Sequence, residues 1–330
     1  MRTRTLVGVI AGLSLLAAAC GDDDTESAGS EPAAPVDTAA STPAEPVTTT
    51  PTDPGTVAPA TDAPAGPVPT AIISLSPTAT EMLYAIGAGD QVIGVDEFSN
   101  YPEEATAKMS GLSGFEPNVE AIAGLEPDLV VTDGTNPGLL EQLDSLGIAH
   151  WEGLAAVTLD DVYTQIEQLG ATTGHVGEAA ELVAGMQADI AATVADVPVL
   201  DEPLTYYHEL DSSYFTATSD TFIGFVYSQL GLRNIADLVE TDAGSYPQLN
   251  AEFIISANPD LIFLACTKYC GETAETVAAR PGWGDMAAVT GGGVVEMDDD
   301  VASRWGPRVV DYLRQASEAV ADVVARQPAG

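Results

Sequence analysis

The chain has 330 residues, with 50 Asp and Glu against 10 Lys and Arg, and a formal net charge of −40 at pH 7. Without a basic stripe to displace phosphate counterions, nucleic acid is excluded as a partner, and a strongly anionic ligand meets an unfavourable field unless local basic groups override it. Acidity of this size also keeps a protein soluble.

The N-terminus carries Arg2 and Arg4, then an apolar run from Leu6 to Ala19, then Cys20. That run is shorter than the roughly 20 apolar residues that span a membrane, and it has the layout of a secretory signal. It resembles a bacterial lipoprotein signal, which implies that Cys20 is the lipidated first residue of the mature chain. Ala17 stands where such signals usually carry Leu, and an ordinary signal peptide cut near Ala19 is the alternative. Residues 21–70 are Pro, Thr, Ala, Ser and Asp with almost no large apolar side chain. Such a segment buries too little surface to offset its ordering entropy and is expected to be a disordered tether. These first 70 residues hold 9 of the 50 acidic and 2 of the 10 basic side chains, which leaves 41 against 8, or −33, on the remainder.

From residue 71 onward short apolar, β-rich runs alternate with helical patterns, which predicts α/β lobes with mostly parallel sheets. In 71–174, strands are expected at Ile72 to Leu75, Val92 to Val95, Asp128 to Thr132 and Ile148 to Trp151. Helices are expected near Thr78 to Ile86, Val119 to Ala123, Gly138 to Leu146 and Leu159 to Leu169. Ala179, Leu182, Val183, Met186, Ile190 and Val194 then recur at helical spacing, predicting one long connecting helix within 175–197 that stops before Pro198. In 198–330, strands are expected at Leu204 to Leu210, Leu261 to Leu264 and Val294 to Met297, with helices near Thr221 to Leu230, Ala251 to Ala257 and Pro307 to Val324. Two open α/β lobes on one helical link place a ligand between the carboxyl ends of their strands.

One segment occurs twice. Asn118, Glu120, Ile122, Pro127, Asp128 and Leu129 recur as Asn250, Glu252, Ile254, Pro259, Asp260 and Leu261, each 132 positions on, and Ser113 and Ser245 extend the match. The period is far beyond the roughly 20–50 residues of solenoid repeats and indicates two related lobes. Each copy reads as an Asn N-cap, a short helix with Glu in its first turn, a Pro stop and a strand.

Further residues carry a resemblance to a known family. Ile72 to Pro77, Thr80-Glu81, Ile86 to Gly89, Val92 to Val95, Tyr101-Pro102, Asn118 to Val130, Tyr246-Pro247-Gln248, Arg280 to Trp283 and Gly306-Pro307-Arg308 are together similar to the substrate-binding proteins of cobalamin and iron-siderophore importers. The resemblance covers essentially everything from residue 71 onward. It implies two Rossmann-like lobes on a rigid backbone helix, with a metal chelate captured in the cleft as cargo. The implied partners are an ATP-binding-cassette permease dimer and its ATPase subunits; no catalysis and no resident cofactor are implied. By position, Glu120 and Glu252 match the glutamates that meet arginines on the two permease subunits. The alternative for each is that a glutamate merely favours a helix N-terminus.

For the cleft, the resemblance implies Phe98, with Phe115, Phe215 and Tyr246 at or beside further aromatic contacts. Asp133 stands where cobalamin binders carry a Trp, and Asp300, Arg304 and Trp305 lie in a late loop. Siderophore binders often surround anionic iron complexes with several arginines, whereas residues 71–330 hold only Arg233, Arg280, Arg304, Arg308, Arg314 and Arg326. A neutral or cationic chelate, a corrinoid or a hydroxamate-type iron complex, therefore fits better, and the corrinoid is favoured.

Cys266 and Cys270 follow the strand at 261–264; outside the cytoplasm so close a pair is most simply a disulfide, with a thiolate metal site as the alternative. Direct capture of zinc or manganese would need convergent ligands drawn from His150, His208 and Asp298 to Asp300, but His208 reads as a solvated strand-end histidine and the Asp run as an exposed turn. Haem is a further alternative cargo. A secreted hydrolase finds little support, because Gly111-Leu112-Ser113-Gly114 fails the nucleophile-elbow spacing.

Overall fold

The computed structural model describes residues 67–239 and 244–326. The signal segment, Cys20 and nearly all of the expected tether lie outside the described residues.

The first lobe runs β1 (Ile72–Ser74), α1 (Pro77–Ala85), β2 (Val92–Asp96), α2 (Glu103–Thr106), β3 (Met109–Leu112), α3 (Val119–Ala123), β4 (Leu129–Thr132), α4 (Pro137–Leu146) and β5 (Ala149–Glu152), followed by α5 (Leu159–Thr173). Its sheet has the order β3-β2-β1-β4-β5 and is parallel throughout. Next comes α6 (Val176–Ala195), whose 20 residues span about 30 Å. The second lobe runs β6 (Thr205–Glu209), α7 (Phe222–Ser228), β7 (Arg233–Asn234), α8 (Ala251–Ala257), β8 (Leu261–Leu264), α9 (Ala274–Ala278), α10 (Ala287–Thr290), β9 (Val294–Glu296), α11 (Asp299–Ser303) and α12 (Val309–Arg326). Its parallel sheet, β7-β6-β8-β9, repeats the order β2-β1-β4-β5 of the first lobe. The fold class is therefore the expected one: two parallel α/β lobes with a long helix between them in the chain.

Strand alternation builds the layers. Ile72, Leu129 and Val131 point into one core while Ile73 and Val130 point into another; in the second lobe Tyr206, Leu261 and Phe263 are divided in the same way from Tyr207, Ile262 and Leu264. The first of these cores is continuous across both lobes, taking in Leu169 of α5, Ala179, Val183, Met186 and Ile190 of α6, and Leu313 and Val320 of α12. Helix α6 packs against α5 and α12. Its entry is tight, because a Cβ at Gly170 would collide with Ala179.

The repeated segment has the same backbone in both copies. Asn118 Oδ1 accepts from Ala121 N (3.1 Å) and Asn250 Oδ1 from Phe253 N (2.8 Å), capping α3 and α8. Each copy then passes through a non-glycine left-handed residue, Glu126 (φ 51°) after α3 and Asn258 (φ 48°) at the C-cap of α8, again 132 apart. Asp128 Oδ2 then accepts from the backbone and hydroxyl of Thr70, and Asp260 Oδ2 from those of Thr205. The Pro-Asp pair thus clamps the entrance of the first strand of each lobe.

Several elements depart from expectation. Strand β3 carries three exposed residues of four and no apolar alternation, so its sequence gives no strand pattern; pairing with β2 makes it one. β7, α9, α10 and α11 are too short to show a period. Helix α12 starts at Val309 rather than Pro307, and Arg308, in the turn before it, donates to Glu81 on α1.

Candidate functional site

A cleft of about 330 Å³ opens between the lobes, lined by Ser76, Pro77, Thr78, Phe98, Phe115 and Asp133 from the first and by Tyr269, Asp300, Ser303, Arg304 and Trp305 from the second. Six of these residues stand in the segment just after a strand: Ser76 after β1, Phe98 after β2, Phe115 after β3, Asp133 after β4, Tyr269 after β8 and Asp300 after β9. In the first sheet β1 and β4 flank the point where the chain reverses its direction of strand addition. Open parallel sheets bind ligands at such points, outside the carboxyl ends of the strands.

Local chemistry aims the aromatic side chains. Asp96, buried at the end of β2, accepts from Phe98 N (3.2 Å) and Ser99 N (2.8 Å), which fixes the turn that carries Phe98. Burial raises the Asp96 pKa above its ordinary value, against these hydrogen bonds, which lower it. Gly114 lets the next loop come close, since a Cβ there would lie 2.8 Å from the Leu75 carbonyl oxygen. Phe115 consequently stands beside Phe98, ring centroids 5.4 Å apart at 79°, an edge-to-face pair with Phe115 itself 76 % exposed. Asp133 accepts from Thr135 N (3.0 Å) and Oγ1 (2.8 Å) in its own loop.

The floor is a network of charges joining the lobes. Arg304 donates to Glu81 Oε1 (2.8 Å), Asn100 Oδ1 (3.0 Å), the Phe98 carbonyl (3.0 Å) and Asp300 Oδ1 (2.8 Å). Arg308 donates to both oxygens of Glu81 and stacks over Tyr101, 4.3 Å from the ring centroid. Asp300 Oδ2 also accepts from Asn100 Nδ2 (2.9 Å) and Lys268 Nζ (2.7 Å). Burial alone would raise the Asp300 pKa, but hydrogen bonds from Lys268 and Asn100 and the charge of Arg304 bring it below its usual value. Among the described residues, then, the cations at the cleft already have carboxylate partners.

The profile of the family described as periplasmic binding protein matches residues 72–301. The chain belongs to this family. A cobalamin-binding protein of Halobacterium salinarum is 32 % identical over 258 residues, covering 76 % of this chain and 69 % of that protein. An uncharacterized ABC transporter substrate-binding lipoprotein of Bacillus subtilis is 30 % identical over 260 residues, covering 76 % and 80 %. Among solved structures, the periplasmic vitamin B12 binding protein of Vibrio cholerae superposes with a TM-score of 0.63 at 26 % identity, covering 78 % of this chain and 98 % of that one. Within this periplasmic binding protein the carboxyl ends of the two sheets, with Phe98 and Phe115 on one side and Asp300 and Arg304 on the other, form the candidate site.

Of the residues named from sequence, Phe98, Phe115, Asp133, Asp300, Arg304 and Trp305 come together in the cleft. Phe215 and Tyr246 do not line it: Phe215 pairs with Gln248 in an isolated β-bridge that holds its segment beside α8. His208 is not solvated. It is fully buried, its Nδ1 2.9 Å from Tyr227 Oη, and burial lowers its pKa to about 3. Nor is Asp298 to Asp300 an exposed turn, since Asp298 caps α11 and Asp299 and Asp300 are buried. His150 sits on β5 near Asp144 and Glu152, so the candidate metal ligands do not converge.

Glu120 and Glu252 are both exposed in the first turns of α3 and α8. Because these helices run back from cleft-side loops to the entrances of β4 and β8, their N-termini lie at the end of each lobe that carries the cleft. Cys266 and Cys270 are joined as a disulfide. Sequence reasoning missed Tyr269, although the flanking cysteines marked its turn as rigid. It also missed the role of Glu81, whose partners lie 223 and 227 residues away.

Proposed function

We propose that the chain is the extracytoplasmic substrate-binding lipoprotein of an ABC importer that captures a neutral metal chelate, a corrinoid such as cobalamin, and hands it to a permease dimer with its ATPase subunits. The observation that carries this reading is the cleft itself. Its apolar surface is aromatic, and Arg304 and Lys268 are already neutralised by Glu81 and Asp300. A polyanionic chelate would find no uncommitted cation among the described cleft residues, whereas a flat macrocycle gains area on Phe98 and Phe115 and can donate an amide hydrogen to Asp133. The cobalamin-binding and B12-binding names of relatives support the corrinoid, and the lipoprotein name of the Bacillus subtilis relative supports anchoring through Cys20.

Glu120 and Glu252 serve as matched docking points. Two equivalent, exposed carboxylates on the cleft-bearing rim suit a two-subunit partner that presents cations at a matching separation.

The test is a thermal shift against cyanocobalamin, cobinamide, ferrioxamine, a ferric catecholate, haem and zinc. A rise in melting temperature with the corrinoids and none with the ferric catecholate is expected. A response to zinc alone, lost on adding a chelator, or to haem or the ferric catecholate in place of the corrinoids, refutes the assignment.

A further inference from the structure

The turn after β8 is closed at its ends by Cys266 and Cys270, whose Cα atoms are 5.1 Å apart. Beneath it lies the buried carboxylate of Asp299, which accepts from the backbone N–H groups of Thr267 (2.7 Å), Lys268 (3.1 Å) and Tyr269 (3.0 Å) and from the Thr267 hydroxyl (2.9 Å). Three successive N–H groups converge on one anion, a backbone nest whose anion the chain supplies. Above the turn, the Tyr269 ring is 59 % exposed and lines the cleft, while its phenol donates to Asp300 Oδ1 (3.2 Å). An exposed aromatic on a short turn would ordinarily sample several rotamers. Here its backbone is held by Asp299 and its far end by Asp300.

The geometry points to Tyr269 as the ligand-facing aromatic wall of the second lobe, complementing Phe98 and Phe115 of the first, with Cys266, Cys270 and Asp299 as positioning residues that aim it. The inference rests on reading the cleft as a chelate site. A cross-link that closes so small a ring adds little to global stability, because it removes little loop entropy from the unfolded chain. Its effect is local, sparing the ligand the cost of ordering the turn.

Cyanocobalamin affinity is measured by titration calorimetry for the full-length protein, Tyr269→Ala, Tyr269→Phe, Cys266→Ser with Cys270→Ser, and the triple variant combining the serine pair with Tyr269→Ala. Tyr269→Ala is expected to bind about three- to tenfold more weakly and Tyr269→Phe within about twofold of wild type. The serine pair should lose a comparable factor, yet the triple variant should be no weaker than Tyr269→Ala, since a positioning residue acts only through the group it positions. Hydrogen exchange of the 267–269 amides, read without ligand, should be at least about tenfold faster in the serine pair. Unchanged affinity in Tyr269→Ala, additive losses in the triple variant, or unchanged amide protection each overturns the inference. A wild-type protein that binds neither cyanocobalamin nor cobinamide overturns the import reading and the role of Tyr269 with it; a wild type that binds while the variant pattern fails overturns this inference alone.

Discussion

Replacing Glu81 by Ala is expected to destabilise the protein more than any change at the cleft surface. The Glu81 side chain is 1 % exposed and accepts from Arg304 Nη1 (2.8 Å), Arg308 Nε (2.9 Å) and Arg308 Nη2. Breaking a buried ion pair from one side costs about 3–5 kcal/mol, because the remaining charge is left in a poor solvent. Arg304 keeps Asp300, Asn100 and the Phe98 carbonyl, whereas Arg308 keeps only the Tyr101 ring. The loss therefore falls mainly on Arg308 and belongs near the lower end, about 3 kcal/mol. Glu81→Gln retains an acceptor and the volume but not the charge, and should cost about 2 kcal/mol. Urea unfolding at fixed pH gives both values from the midpoint and slope, and Glu252→Ala, on an exposed helix turn, serves as a control within about 0.5 kcal/mol of wild type. A Glu81→Ala loss below about 1 kcal/mol would show that the clasp is solvated and that the continuous core alone holds the lobes together.

Acid should act through His208. Its folded pKa is lowered from 6.5 to about 3 by burial, so the neutral form stabilises the fold fully above pH 6.5, and that contribution is lost as pH falls from 6.5 toward 3. At about 1.4 kcal/mol per pH unit this is worth on the order of 4 kcal/mol near pH 3, and His208→Phe should flatten the curve by that amount; identical slopes would contradict it. For the import role, Glu120→Ala combined with Glu252→Ala should abolish uptake in cells while ligand affinity stays within about twofold, and lost affinity would place these glutamates in the cleft instead. Phe98→Ala, which removes one ring of the edge-to-face pair, should weaken corrinoid binding by about tenfold, whereas Phe215→Ala should change it less than about twofold; equal losses would mean that the cleft extends to the Phe215–Gln248 bridge.

Much of the fold was legible because its signals are local. β4 and β8 are apolar runs bounded by Pro-Asp, and α6 shows a helical period with a proline beyond it. Strand β3 was not legible, since Met109-Ser110-Gly111-Leu112 is a strand only through its neighbour β2. The same division runs through the site. Phe98 and Asp300 could be named from motif position, but a motif cannot say which way a loop turns, and Phe215, carried over on the same grounds, is bridged to Gln248 and is not among the residues lining the 330 Å³ pocket. Tyr269 had no motif at all, and its place follows from the nest around Asp299.

By itself the sequence determined the periodic and the repeated: two α/β lobes, the helix between them, and paired glutamates 132 residues apart. Only the tertiary structure decided which charges are spent. Glu81 and Arg308, both in segments recognisable from sequence, turn out to face each other across the lobes, and His208 and Asp299 prove buried rather than solvated. The reason is physical. Hydrophobic period and capping act over three to five neighbouring residues, whereas the fate of a charge depends on partners brought within 3 Å by folding more than 200 positions away.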